Sequence, residues 1–398
     1  MLLPARMTLS RTLPLLLATH WMAAGCIAGG ISGSDSDQGS AQRPATCPAP
    51  DLFDHALCIC DDMNDVGELS VVEGPSGVGS VGVNGFTRFV NLTRAVGDWI
   101  AYGGFEAVTD TEISGSLMTE GDATWVGWLK VGLDLAIGGD ATGIGMLEVL
   151  GTLSVGGAET MLPESTVASR ADYQPLAGPP CPCDPDSFFD VAGAVAAARA
   201  SNDNAAAGLP TRLAAVGESD IRLETGTYYF EDAATVGQTH ITVAGEVALY
   251  VEGTLATVGE QNITVEDGGS LDLFVSGTVA TVGWTSAGSA AHPEAIRIYI
   301  GGSDRVLLAA VGAHDLFANL YAPEATLAYV GDNRVVGSLF GRELDGVGRL
   351  EIGYGAPADL DPPSCDDPDD DGDGGGGGGA DDGDGGGDGS GDGDDGVD

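Results

Sequence analysis

Apolar and polar positions recur every eighteen residues between residues 79 and 157. Five seven-residue units start at 79, 97, 115, 133 and 151, and they close on Gly85, Gly103, Gly121, Gly139 and Gly157. Within each unit the second position is polar, and the third and fifth are mostly apolar, as at Val81 and Val83. This alternation predicts short strands with one inward face, and the constant period predicts stacked coils. We expect the closing glycines to form corners with positive φ and to lie above one another.

The second half of the chain carries a longer and looser repeat. Residues 249–259 are echoed twenty-four positions later by residues 273–283, and related runs continue to residue 348. Alternation within these runs predicts a second set of coils, with every other side chain directed inward. The residues that we expect inside are Leu249, Val251, Leu273, Val275, Ile298 and Ile300.

Both halves resemble known bacterial folds. The G-x-apolar-x-apolar-x-G units of residues 79–157 resemble the rungs of polymer-forming, bactofilin-like β-helices. A hexapeptide-repeat left-handed helix would share the eighteen-residue turn, but it ranks lower because small residues do not recur cleanly every six. Residues 226–230 (GTYYF), 247–253 (VALYVEG) and 320–325 (LYAPEA) resemble an uncharacterised β-solenoid domain of cell-surface and pilus-assembly-related proteins. That resemblance implies a fold and a surface location, and no reaction.

The predicted fold class is mostly β, with right-handed β-helix-like solenoid coils in two halves and disordered termini. The first half spans residues 47–175 and the second spans residues 210–355, with a cysteine header and a helix between them at 176–209. We expect the helix to start at Asp186 or Ser187 and to end near residue 200, with an apolar stripe on one side. Solenoids need their apolar ends covered, so we expect this helix to cap one. A partner-binding helix is the alternative.

The first residues of the chain predict export. Residues 1–25 carry two arginines before a short apolar run and close on small residues, which is typical of a signal peptide. The sequence Ala23-Ala24-Gly25 before Cys26 resembles a bacterial lipobox, so we expect Cys26 to carry a lipid. A plain secretion signal cut after Gly25 is the alternative. We therefore expect an outer-membrane or cell-surface protein that reaches the membrane only through its lipid anchor.

Two polar segments flank the solenoid halves. Residues 26–46 are rich in Gly, Ser and Asp and suit a flexible tether, and residues 356–398 form an acidic, Asp/Gly-rich tail that we expect to be disordered. Within the tail, Asp367, Asp369 and Asp371 have the spacing that opens a calcium loop, but the closing glutamate is missing, so we expect no specific metal site. The formal net charge of −45 argues against nucleic acid as a partner.

Six cysteines remain after Cys26, and an even number suits disulfides in an oxidising compartment. The segments C-I-C-D at 58–61 and C-P-C-D at 181–184 are the same header, one before each half. The C-x-C spacing is too short for a zinc knuckle. We expect Cys58 and Cys60 to bridge to Cys181 and Cys183, and Cys47 to bridge to Cys365.

Alternation in the second half predicts a ladder of outward aromatic side chains on successive coils. Its members are Tyr250, Phe274, Tyr299 and Tyr321, and Phe340 is a candidate to extend it. An open ladder would stack on sugar rings or on an apolar patch of another protein. We favour the other possibility, a satellite core in which loops or the helix after residue 186 cover the rings, because large exposed apolar patches are uncommon on monomers.

No residue set predicts catalysis. Asp220, Arg222 and Glu224 share one face of a strand, as Glu252 and Asp272 do on adjacent coils, but neighbouring carboxylates arise by chance in so acidic a chain. The histidines lack the spacing of a zinc site. We expect a non-enzymatic structural or adhesive envelope protein without a cofactor, whose partners are glycans or other envelope proteins. The alternative is a carbohydrate-binding or degenerate polysaccharide-active β-helix protein.

Overall fold

In the first half a strand begins about every six residues, and three strands complete one coil of eighteen residues. The computed structural model describes residues 50–303 and 306–356. A 3₁₀ turn at Pro50–Phe53 precedes the strands. The first-half strands are β1 Leu57–Ile59, β2 Met63–Asp65, β3 Glu68–Val72, β4 Val81–Val83, β5 Phe86–Phe89, β6 Thr93–Ala95, β7 Trp99–Ala101, β8 Gly104–Ala107, β9 Thr111–Ile113, β10 Leu117–Thr119, β11 Ala123–Trp125, β12 Leu129–Val131, β13 Leu135–Ile137, β14 Ala141–Gly143, β15 Leu147–Val155, β16 Glu159–Thr160 and β17 Thr166–Ala171.

The predicted eighteen-residue register is confirmed. Leu117 pairs with Trp99 of the coil before it and with Leu135 of the coil after it, and all three side chains are buried. The strands nevertheless start about every six residues, which is the spacing expected of a hexapeptide-repeat helix. Small residues every six positions are not needed for this spacing, because other side chains hold the corners.

Aspartates at several corners hydrogen-bond one coil to the next. The Oδ1 atoms of Asp98 and Asp122 accept the backbone N–H groups of Ser116 and Asp140, at 2.7 and 2.8 Å. The same bond recurs at Asp134, two coils after Asp98, and at Asp140, one coil after Asp122. A carboxylate at these positions satisfies a backbone donor that the turn would otherwise leave to water. This explains why a polar residue recurs beside the inward positions.

The closing glycines stack in the predicted column, but the predicted reason for them is wrong. Gly103 donates its N–H to the carbonyl oxygen of Gly85 at 2.8 Å, and Gly157 donates to Gly139 at 2.9 Å. None of the five has a positive φ. A Cβ at Gly121 would instead clash with the carbonyl oxygen of Gly103. Direct backbone contact between coils, and not backbone conformation, therefore requires glycine at this corner.

Two helices precede the second half, which consists of longer strands, many of which bend through a corner. The helices are α1 Val191–Ala200 and α2 Asn204–Ala207, with 3₁₀ turns at Pro185–Ser187 and Pro293–Ala295. The strands are β18 Arg212–Phe230, β19 Asp232–Val251, β20 Leu255–Val265, β21 Ser270–Val275, β22 Val279–Ala287, β23 Ile296–Ile300, β24 Val306–Phe317, β25 Asn319–Gly337 and β26 Leu339–Tyr354. The twenty-four-residue echo is confirmed, because Leu249 pairs with Leu273. The inward residues predicted for these strands are buried or partly buried in the apolar interior.

The two halves form one column, and the second half precedes the first half within it. The last strand, β26, pairs in parallel with β1, β2 and β3 of the first coil. Leu57 therefore lies between Leu339 on one side and Val81 on the other. The result is a 26-stranded β-solenoid of about 14 turns whose apolar core crosses the junction. Both ends of the described chain meet in the middle, where Tyr354 Oη donates to the carbonyl oxygen of Phe53 at 3.0 Å.

The segment between the halves, residues 172–211, runs back along the column, and we call it the return segment. Its helix α1 begins at the N-cap Asp190, whose side chain accepts the Gly193 N–H at 2.8 Å. The predicted start at Asp186 or Ser187 is wrong, because Asp184 caps a separate 3₁₀ turn there. The predicted role as an end cap is also wrong, because α1 packs against outward side chains of successive coils.

Several predictions concern residues outside the described part of the chain. These are the signal peptide, the tether, the lipid site at Cys26, the pairing of Cys47 with Cys365, and the calcium candidates of the tail. Among the described residues, neither helix has the length and apolar character that a membrane crossing requires.

We predict that Gly121→Ala lowers the free energy of unfolding by about 1–3 kcal/mol, as expected for overpacking. The added methyl group would clash with the backbone of the preceding coil. Gly178→Ala is the matched control, because a Cβ there meets no atom within 4 Å. Chemical denaturation of both variants measures the difference. Equal stabilities would contradict a glycine column set by coil-to-coil contact.

Candidate functional site

The predicted aromatic ladder exists as a column of rings on the outer side of the second-half strands. Strand register places Tyr250 beside Phe274, Phe274 beside Tyr299, and Tyr299 beside Tyr321. The first two pairs are stacked, with ring centroids 4.6 and 4.9 Å apart and planes within 10°. Phe340 extends the column, and its register partner on the next coil is Cys58.

The ladder is covered and does not form an open ligand-stacking surface. Tyr250 is 9% exposed and Tyr321 is fully buried. Phe189 of the return segment packs its ring 5.9 Å from Phe274 and 5.7 Å from Tyr299. The ladder is therefore a satellite core. The apolar side chains of α1 that complete this cover are Val191, Val195 and Ala198.

Two disulfides fasten the return segment at the end of the ladder. Cys58 is bonded to Cys181 and Cys60 to Cys183, with Cα–Cα distances of 5.8 and 5.5 Å. These are the pairs that the two C-x-C headers suggested. Gly82, the next residue in the column, leaves room for them, because a Cβ there would lie 2.9 Å from the Cys181 sulfur.

Polar contacts that the sequence did not indicate hold the return segment beside these bridges. Asn84 donates its side-chain N–H to the Cys181 carbonyl oxygen at 3.0 Å, and its Oδ1 accepts the Cys181 N–H at 2.9 Å. At the far end, Asn204 exchanges the same kind of bonds with the backbone of Tyr229. These residues are brought together only by the path of the chain, so no local sequence pattern predicts their contacts.

The carboxylates considered for catalysis do not converge. Asp220, Arg222 and Glu224 are exposed, and Arg222 forms ion pairs with Glu224 and with Glu266 at 2.8 and 2.5 Å. Glu252 lies at the edge of the ladder cover, where it pairs with Arg199 of α1. The ion pairs of Arg222 with Glu266 and of Arg199 with Glu252 link neighbouring coils and the return segment.

Asp272 is instead half of a buried ion pair. Arg297, its register partner on the next coil, donates to both carboxylate oxygens at 2.5 and 2.6 Å. Burial raises the pKa of Asp272, and the contact with Arg297 acts against that rise. A doubly hydrogen-bonded pair of this kind is fixed in place and offers no free acid or base.

A second buried carboxylate lies where the two halves meet. Asp65 of β2 accepts hydrogen bonds from Tyr329 Oη at 2.5 Å and from the Gly67 N–H at 2.7 Å. Burial raises the pKa of Asp65, and the two hydrogen bonds oppose the rise. Burial likewise raises the pKa of Tyr329. No local sequence pattern indicates this contact, because the two residues are 264 positions apart.

A line of polar side chains runs through the interior of the second half. Gln261, Thr285 and His314 occupy the same register position on three successive coils, and with Asp315 they are the polar residues around a mostly apolar cavity of about 90 Å³. Burial lowers the pKa of His314, so its imidazole is neutral near pH 7. No group of three or more His, Cys, Asp or Glu side chains able to hold a metal occurs among residues 50–303 and 306–356.

Comparison with known families identifies part of the chain. Residues 184–356 match the family model described as Domain of unknown function (DUF7305). The match begins directly after Cys183 and includes both helices and every strand from β18 to β26. No curated protein and no solved structure matched. The fold and the match together define a β-solenoid protein that contains an uncharacterised domain, whose description names no activity, ligand or location.

Loss of the disulfides should destabilise the column only when both are removed. Each bridge links residues 123 positions apart, so either one alone restricts the unfolded chain in the same way. We expect Cys60→Ser/Cys183→Ser to change stability little. Replacing Cys58 and Cys181 as well should lower the free energy of unfolding by about 2–4 kcal/mol. Denaturation under non-reducing conditions measures both, and a large loss from one bridge would contradict the shared role.

The buried Asp65 should make the junction less stable as the pH rises. The pKa of Asp65 is higher in the folded chain than in the unfolded one. Its contribution to the free energy of unfolding is therefore fully present at pH values below the unfolded pKa. That contribution is lost as the pH rises through the folded pKa. We expect Asp65→Asn to reduce the fall in the free energy of unfolding between about pH 4 and 7.

Urea denaturation across this pH range tests the prediction for Asp65. Asp220→Asn, which changes an exposed carboxylate on the outermost coil, is the matched control. An unchanged pH profile for Asp65→Asn would contradict the assignment.

Proposed function

We propose that this chain is an exported, lipid-anchored structural or adhesive protein of the bacterial cell envelope that acts as a rod and not as an enzyme. The observation that carries the proposal is the continuous column of coils, fastened along its side by the disulfide-bonded return segment. Parallel strand pairing from coil to coil gives such a column many backbone hydrogen bonds along its axis. A rod of this kind holds its ends at a fixed separation.

The disulfides support an extracytoplasmic location. Structural disulfides persist in oxidising compartments and are rare in the cytosol. Both bridges lie at the edge of a hydrophobic cluster and stabilise the cover of the aromatic ladder. This agrees with the export signal and the lipobox-like Cys26 that the sequence suggests.

Carbohydrate binding, the rival function, loses its main support. That reading needs open ring faces beside free carboxylates. The rings of Phe274 and Tyr299 are buried beneath Phe189, and the nearest carboxylate in register, Asp272, is paired with Arg297. We therefore propose other envelope proteins, rather than glycans, as the partners of the rod.

Labelling with a radioactive fatty acid in a bacterial host tests the anchoring. We expect the wild-type chain to incorporate the label, to sediment with membranes and to be digested by protease added to intact cells. Cys26→Ser should lose the label and leave the membrane fraction, because the acceptor thiol is gone. Cys47→Ser is the matched control and should keep the label. An unlabelled wild-type chain in the cytoplasmic fraction would overturn the proposal.

A further inference from the structure

A row of valines lies on one corner of the column, and it starts in the second half. The register of the strands places these valines above one another, with the coil of β24 lying between Val282 and Val330. Each is followed by a glycine with positive φ, which turns the chain and directs the valine outward. The second-half members are Val216, Val236, Val258, Val282, Val330 and Val347.

The row continues across the junction into the first half without changing corner. Val66 donates its N–H to the carbonyl oxygen of Gly346, directly before Val347, at 3.0 Å. Val90 and Val108 then follow, each bonded to the coil before it at 2.9 Å. The first-half members are Val66, Val90, Val108, Val126 and Ile144. We call the complete row the valine ridge.

The valine ridge is exposed along its whole described length. Its side chains are between 37 and 85% exposed. With strands about 4.8 Å apart, the twelve coils from Val216 to Ile144 extend over roughly 50 Å. Trp128, Met146 and Trp284, each two residues beyond a ridge position, are also exposed and widen the apolar strip. A contiguous apolar strip of this length is unusual on the surface of a monomer.

We propose that the valine ridge is the docking surface for a second copy of this chain, in a side-by-side pair. A half-exposed valine offers roughly 50 Å² of apolar surface. Two ridges would then bury about 1,100 Å² in total, which exceeds the roughly 1,000 Å² expected of a biological interface. The area that a stable pair needs is thus present on this ridge alone. The inference deepens the proposed structural role, yet it can fail while export and anchoring hold.

An identical ridge is the partner that fits best. Its side chains repeat at the spacing of the strands, and an identical copy supplies the same spacing over the same length. In a two-fold antiparallel pair, the middle of each ridge meets the middle of the other, close to Val347 and Val66. The ridge itself is uncharged, whereas each chain has a net charge of −45. Raising the salt concentration should therefore strengthen the pair by screening repulsion.

Sedimentation of the purified full chain over a range of concentrations tests the proposal. We expect a reversible dimer for the wild-type chain. Val66→Glu/Val347→Glu should raise the dissociation constant by about tenfold or more, because like charges would meet at the centre of the interface. Val78→Glu/Leu133→Glu is the matched control, since both residues are 55% exposed and lie off the ridge. Thermal denaturation of each variant verifies that the column remains folded.

A charge-swap experiment separates docking from misfolding. Val66→Lys/Val347→Lys should also weaken self-association, and an equimolar mixture of the Lys and Glu variants should form a heterodimer. A wild-type chain that stays monomeric at every concentration would overturn the proposal, as would a dimer that the ridge substitutions leave unchanged. If the terminal residues of the same chain cover the ridge, the wild-type chain is monomeric, so that outcome also counts against a second copy. Loss of fatty-acid labelling with dimerisation intact would instead reject the anchoring alone.

Discussion

Parallel pairing between the strands of successive coils is the constraint on which the rest of this structure depends. Each inward side chain must lie directly above its equivalent in the coil before, as Leu117 does above Trp99. Where two corners touch, only glycine fits between the backbones, as at Gly103 and Gly121. The same pairing joins β26 to β1, β2 and β3, so halves with different repeat lengths share one core.

The position of this junction determines the path of the chain. Because the first half winds outward from the middle of the column and the second half winds back toward it, residues 172–211 must travel along the outside. Along this path the return segment covers the aromatic ladder, and the disulfides of Cys181 and Cys183 hold it there. A row of rings that looks like a binding surface in the sequence thus becomes part of the core.

Local repeats predicted the elements and their register, and they failed where contacts depend on the path of the chain. The eighteen-residue period specified which residues stack because each coil repeats the one before. The period does not specify which coils form the open edges, so the pairing of Leu57 with Leu339 could not be foreseen. The same applies to Asp65 with Tyr329. The valine ridge could have been predicted from the sequence, because the dipeptide Val-Gly recurs in most coils.

The most direct test of this account is the distance between β3 and β26. Nitroxide labels, introduced through unnatural amino acids at Ser70 and Glu351, would occupy paired positions on neighbouring strands about 4.8 Å apart. Labels at Ser70 and Thr166, five coils apart in the same column, provide the control at roughly 24 Å. If β3 lies beside β26, the EPR spectrum shows strong dipolar broadening for the first pair and little for the second. Absence of broadening between Ser70 and Glu351 would contradict a single column whose ends meet in the middle.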